Sequence, residues 1–369
     1  MSKIILPEDI KGALGHISQW WEGNPMNRPC YALSVPKSAA PNLSLKNLQE
    51  YWPSHDEEPD FEGLVERMIE NIEANCYFGE AIPVLPHLWG GRGAPMAMAA
   101  YLGGKVNLRE DTVWVEPIID DWREFELCFD ERNIWLKKSL EFFKLAVERS
   151  NGNYLPHLPD FGDALTVLSL LRGVDRLLVD LIENKEAVLE ARDKFVELWP
   201  KFHRKFWEPY SRKFPGDISW LVWAPGKTYA CQCDFSTMIS PQMFIEFVVP
   251  EIEAMDKYLD YIVWHLDGQE ELKHLDILLD LSEIKVIQWV PGSGNPPAAS
   301  PQWLPMLKRI QGKGKGLVVY AENEEEIRFL LKELSPKGLF IFDEFSGRTR
   351  EEALKHIEII TKLSKKFNL

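Results

Sequence analysis

The run Tyr261–Gly268, YIVWHLDG, closes an apolar stretch with an imidazole and a carboxylate two residues apart, His265 and Asp267. Residues two apart on a strand point to the same side, so this spacing presents both groups together. Such a pair can exchange protons near neutral pH, or offer one nitrogen and one oxygen to a divalent cation. A plainer reading stays open, in which Asp267 hydrogen-bonds a loop amide and caps the strand. Other apolar runs end in a similar way. GNYLPHLPD carries His157 and Asp160, DISWLVWAPG carries Trp223, and IKVIQWVPGSG carries Gln288 and Trp289. GLVVYAE ends in Tyr320 and Glu322, and GLFIFDEF in Asp343 and Glu344.

Each of these residues has a structural alternative. Glu322 stands just before a helix start, where the helix dipole favours an acid. Asp343 and Glu344 could belong to a solvated turn, and a Pro-flanked histidine such as His157 is often structural. Asp234, in CDFSTMISP, could act as an acid or cap the helix that follows. Cys231 and Cys233 form a Cys-x-Cys, but a zinc ribbon needs a second pair and none follows; buried thiols are the reading adopted. His274 and Asp276 fall on a helix and read as surface residues.

The elements that would position these groups alternate from about residue 150 onward. Short apolar runs are separated by amphipathic helices with readable starts. Ser240-Pro241 puts a capping residue before a proline at the first helical position. Asn323 with Glu326, and Thr349 with Glu352, fit capping boxes. Strand–helix alternation predicts a parallel sheet with right-handed crossovers. There is no GxGxxG and no P-loop, which removes the usual signs of an open nucleotide-binding sheet. A closed (β/α)8 TIM barrel would gather polar strand ends into one pocket. We therefore expect residues 151–369 to form the main part of such a barrel. Residues 1–150 read as an N-terminal extension covering the pocket, with strands at 28–36 and 111–119, helices at 60–76 and 131–150, and a loop at 86–96.

Composition narrows the function classes. The chain has 369 residues, 45% of them apolar, enough for a large core. Its formal charge of −15 would repel phosphate backbones, so no nucleic-acid partner is expected. No apolar run reaches the length of a membrane span, so no membrane partner is expected either. Five cysteines, an odd number with the first three scattered, do not suggest a disulfide framework, and no leader stands out at the N-terminus. The expected location is cytoplasmic. Fourteen tryptophans, several near turns, hint at a pocket with aromatic walls.

CDFSTMISPQMFIEFVVPEI resembles the uroporphyrinogen decarboxylase superfamily, in which an acidic residue precedes ISPxxFxEFxxP at the start of a helix. HLDG sits where that superfamily often has His-x-Cys-Gly. LPDFGDALTVLSLLRG and GLFIFDEFSGRTREEALKHIEII resemble its first strand–helix junction and its last strand and helix. The resemblance runs in short pieces over roughly residues 150–369, and SPQMFIEFVVP is its most specific part.

True uroporphyrinogen decarboxylases carry an Arg-Gln-x-Gly-Arg motif for substrate carboxylates, and this chain lacks it. The resemblance therefore points to the other branch, the corrinoid-dependent methyltransferases. Those enzymes bind zinc through His-x-Cys and a distant cysteine. Here Asp267 replaces the cysteine and no cysteine follows Cys233. Any metal, expected as zinc, would then have nitrogen and oxygen ligands drawn from His265, Asp267, Glu322 and Glu344. A thiol-methylating enzyme is disfavoured by so hard a set. The expected activity is methyl transfer from a small methylated substrate, favoured as a methoxylated aromatic, to cobalt in a corrinoid protein. His265, Asp267 and Asp234 are the expected catalytic groups. Trp223, Trp264, Gln288, Trp289, Tyr320 and His157 are the expected substrate-binding residues. The alternative is a metal-independent decarboxylase acting on a tetrapyrrole or a smaller carboxylic acid.

Overall fold

The structure is a computed structural model. It describes residues 10–24, 26, 28–37, 58–89, 96–108, 113–220, 222–343 and 349–367. Thirteen strands occur among them. In the first half these are β1 Cys30–Pro36, β2 Asn75–Gly79, β3 Val84–Leu85, β4 Lys105–Leu108, β5 Val113–Glu116 and β6 Leu155–Pro156. In the second half they are β7 Asp217–Ser219, β8 Val222–Ala224, β9 Thr228–Cys231, β10 Tyr261–Asp267, β11 Val286–Val290, β12 Gly316–Ala321 and β13 Leu339–Asp343.

A seven-stranded sheet of order β2-β1-β13-β12-β11-β10-β9 organises the molecule. Every neighbouring pair is parallel except β1 with β2. Helices connect the parallel strands, as crossovers require. The mixed α/β architecture is compatible with an α/β barrel. β3 pairs in parallel with β6, and β7 pairs antiparallel with β8 as a short hairpin. The change of rhythm near residue 150 is no edge of the sheet. β1 runs in parallel register with β13, so Cys30–Leu33 lie beside Phe340–Asp343.

The two sheet faces bury different partners. Odd-numbered Val263 on β10, together with Val286, Val318, Phe340, Phe342, Ala32 and Ala230, packs against the β7–β8 hairpin and the helix Ile10–Trp21. The Trp20 ring meets Phe340 edge-on at 5.5 Å. The opposite face carries Trp264, Leu266, Ile287, Trp289, Val319 and Ile341, buried beneath the connecting helices. Strand alternation forces this split. Trp264 and Trp289 therefore point away from the face that carries His265 and Gln288. Trp264 packs on Phe244 and Trp289 on Trp303, each fully buried. This corrects the expectation that they wall a substrate pocket with His265.

Helix starts follow the sequence signals. Ser240 accepts a hydrogen bond from Met243 N–H. Asn323 and Glu326 exchange bonds in a capping box, in which Glu326 also accepts from Glu322 N–H. Thr349 and Glu352 do the same. The helix Ile10–Trp21 is fastened through a His16–Glu80 hydrogen bond. Glu80 accepts from both terminal nitrogens of Arg28, from His16 Nδ1 and from Tyr31 N–H.

Candidate functional site

His265, Gln288 and Tyr320 stand on adjacent strands, and their side chains form a chain. His265 and Gln288 are register partners on β10 and β11. His265 Nδ1 lies 3.0 Å from Gln288 Oε1, and the Gln288 amide nitrogen donates to Tyr320 Oη at 2.8 Å. An amide oxygen can only accept. The proton therefore sits on Nδ1, and Nε2 of a neutral His265 keeps a free lone pair. Burial pushes the imidazole pKa down, against the opposing pull of Gln288 and Asp267.

The other flank of His265 is an indole. Trp220, at the tip of the β7–β8 hairpin, meets the His265 ring edge-on at a centroid distance of 4.2 Å. Its backbone N–H donates to His157 Nε2 at 2.5 Å, while His157 Nδ1 donates to Leu158 O at 2.5 Å. Both His157 nitrogens are thereby used, and burial holds its pKa down at about 4. His157 thus anchors the hairpin, and its nitrogens are not free for a substrate.

Carboxyl groups crowd the strand ends of β9 and β10. Asp234 opens the 3-10 turn Asp234–Met238 directly after β9. Burial, then the charges of Asp163, Asp160 and Asp267, push it up to about 7. Glu271 is 2% exposed. It accepts from Ser236 Oγ at 2.9 Å and from Asp267 N–H at 3.2 Å, tying the turn after β9 to the end of β10. Burial pushes it up to about 8. Asp160 accepts from Tyr229 Oη, Gly162 N–H and Gln232 Nε2. Among the described residues, no lysine or arginine forms an ion pair with Asp234, Asp267 or Glu271. Asp234 and Glu271 thus keep their protons to higher pH than ordinary carboxyls do, beside an imidazole whose pKa burial lowers.

The remaining candidates fall elsewhere. Trp223 donates its indole N–H to Pro215 O, and its carbonyl accepts from Trp21 Nε1, so its bonds run to the N-terminal helix side. Glu322 is exposed in its capping turn, and Glu344 lies outside the described residues. Asp343 is buried on the helix face, bonded by Tyr31 Oη and 3.7 Å from His356 Nε2. His274 corrects a surface assignment: it is 1% exposed, stacks on Phe244 and lies 3.0 Å from Ser236 O. Cys231 and Cys233 are buried free thiols. Glu271 carried no sequence signal, and Trp220 only the general one of tryptophans placed near turns. Trp220 is one of several aromatic residues in ISWLVW, and Glu271 sits in an acidic run that reads as solvated.

Whether these residues fit a metal is a question of convergence. His265 Nε2 and Asp267 are suitable donors. Among the described residues, however, only His16, Cys30 and Glu80 bring three candidate ligand atoms within 4.8 Å of one another. His265 and Asp267 gain no third ligand among the described residues, and Glu344, another candidate ligand, lies outside those residues. Glu80 in the other trio is already saturated by Arg28, His16 and Tyr31.

No protein-family model matches the chain, and no curated protein matches its sequence significantly. The fold is similar to that of a solved methyltransferase from Methanosarcina mazei. The TM-score is 0.57 and the identity 14%, over 95% of this chain and 98% of that one. An endo-1,4-beta-xylanase from Caldicellulosiruptor owensensis aligns at a TM-score of 0.29 with 11% identity, over 85% of this chain and 79% of its own. No helix among the described residues is long and apolar enough to cross a membrane.

Proposed function

We propose that this chain is a methyltransferase on a closed (β/α)8 barrel of the uroporphyrinogen decarboxylase type. It moves a methyl group from a small methylated donor, favoured as a methoxylated aromatic, to the cobalt of a corrinoid carried by a partner protein. The fold shared with a methyltransferase agrees with this reading. The observation that carries it is the cluster of Asp234, Asp267 and Glu271 at the ends of β9 and β10, with which no lysine or arginine among the described residues pairs, and His265 two residues before Asp267 on the same strand.

Reduced corrinoid cobalt supplies the nucleophile that accepts the methyl group. The methyl–oxygen bond breaks, and the oxygen leaves with the electron pair. Asp234 delivers its proton to that oxygen, which lowers the barrier only where charge develops. His265, held by Gln288, presents the Nε2 lone pair to a hydroxyl of the donor or to an ordered water. Glu271 keeps the turn bearing Asp234 against the end of β10. An acidic pocket without paired cations disfavours a substrate with several carboxylates, so the decarboxylase reading takes second place.

The test mixes enzyme, cob(I)alamin and 2-methoxyphenol and follows the visible spectrum together with catechol release. Methylated cobalt and catechol in equal amounts support the reading. Loss of carbon dioxide from a carboxylated substrate without any corrinoid, with no methyl transfer, would favour the decarboxylase.

A further inference from the structure

We infer that Trp220 is the aromatic platform of the site: its indole takes the donor's ring and fixes the approach of that ring to His265. This rests on the reading that the donor is a methoxylated aromatic, and it deepens that reading.

Three observations converge on this residue. Among the described residues, only Asn151 and Trp220 are non-glycines with positive φ, and Trp220 has φ +56°. A bulky residue rarely adopts that conformation, and such strain persists only where the surroundings enforce it. Here the enforcement is visible, because the His157 ring takes the Trp220 N–H at 2.5 Å and is itself fixed by Leu158 O. The hairpin is also embedded among Val263, Val286, Val318 and Phe342 through Ile218 and Val222.

The second observation is position. The Trp220 ring meets His265 at 4.2 Å with an interplanar angle of 64°. The third is parity. Trp264 and Trp289 belong to the helix face. Aromatic surface on the His265 face includes Trp220, Tyr320 and Phe342, the last two 5.6 Å apart. Trp220 touches the imidazole and is only half-buried. A flat ring can pack on such a surface by stacking or edge-on contact.

The experiment compares Trp220→Phe and Trp220→Gly with the wild-type protein. Glycine tolerates positive φ, so Trp220→Gly removes the ring while relieving the backbone, and circular dichroism verifies the fold. Binding of 2-methoxyphenol and of trimethylamine is measured by calorimetry without corrinoid. Binding of 2-methoxyphenol should weaken about three- to tenfold in Trp220→Gly and change little in Trp220→Phe. Trimethylamine, a cation near neutral pH, tests the rival use of the same ring: tighter binding than 2-methoxyphenol in wild type, lost in Trp220→Gly, would overturn the aromatic donor. A second readout follows tryptophan fluorescence against pH. Wild-type emission should drop as His265 becomes protonated, and that step should vanish in Trp220→Phe. Equal 2-methoxyphenol binding in wild type and Trp220→Gly, or none in wild type, overturns the inference. Ring-dependent binding without methyl transfer would leave Trp220 in place and sink the methyltransferase reading. Methyl transfer with ring-independent binding would do the reverse.

Discussion

Gln288 Oε1 stands 3.0 Å from His265 Nδ1, across a register in which the two residues face each other on adjacent strands. One amide thereby selects the histidine tautomer. Gln288→Glu should place a carboxylate at that nitrogen and raise the imidazole pKa, favouring the charged ring. Gln288→Leu should lower it further, because burial already disfavours the charge. Nitrogen-15 NMR of the histidine ring across a pH titration separates the outcomes. Identical titration in both variants would mean that the bond does not control the ring.

Asp234 should set the upper pH limit of activity. Its pKa lies near 7, so the protonated fraction falls as pH rises through that value. Methyl transfer should decline along the same limb. Asp234→Asn should flatten the limb and slow the reaction by roughly 10²–10⁴-fold, the usual scale for a general acid. A pH–rate profile unchanged in Asp234→Asn would remove Asp234 from the chemistry.

Glu271 makes a prediction about stability with an unusual sign. Its pKa moves from an ordinary 4.5 to about 8 on folding. Between those values the folded protein holds a proton that the unfolded chain has released. The folded state therefore binds more protons, and stability falls as pH rises through this window. Glu271→Gln should make the fall shallower. Chemical denaturation at pH 5 and pH 8 measures it, and an identical slope in both proteins would refute the assignment.

Trp289 should matter for stability and not for ligand. It is fully buried against Trp303 on the helix face. Trp289→Ala should cost about 3–5 kcal/mol of folding stability, while affinity for 2-methoxyphenol stays within about twofold, a change of roughly 0.4 kcal/mol. Denaturation curves and calorimetry read the two effects separately.

Much of this arrangement is legible in the sequence because it depends on local rules. Ser240, Asn323 and Thr349 cap helices as their spacing predicts, and the helices then require parallel strands between them. The same period-two rule that puts His265 and Asp267 together also puts Trp264 on the opposite face, and Gln288 likewise opposes Trp289. Taking both parities as pocket lining conflicts with that rule, and the structure resolves it. Other features depend on long-range contact and have no local signature. His157 is occupied by Trp220, 63 residues away. Glu271 is buried because it bridges two strand ends, although its acidic neighbours make it look solvated. His274 is buried because the turn after β9 folds onto it through Ser236. The place of β1 beside β13 was equally hidden, since nothing in Cys30–Pro36 names a partner more than 300 residues later.

The most direct test uses 2-methoxyphenol carrying a fully deuterated methyl group, incubated with the enzyme and cob(I)alamin for a single turnover. Mass spectrometry then reads both products. The proposed methyl transfer requires the intact trideuterated methyl group on cobalt, an equal amount of unlabelled catechol, and loss of the signal in Asp234→Asn. Label that stays on the donor, while a carboxyl-labelled acid releases carbon dioxide in the absence of corrinoid, would contradict it.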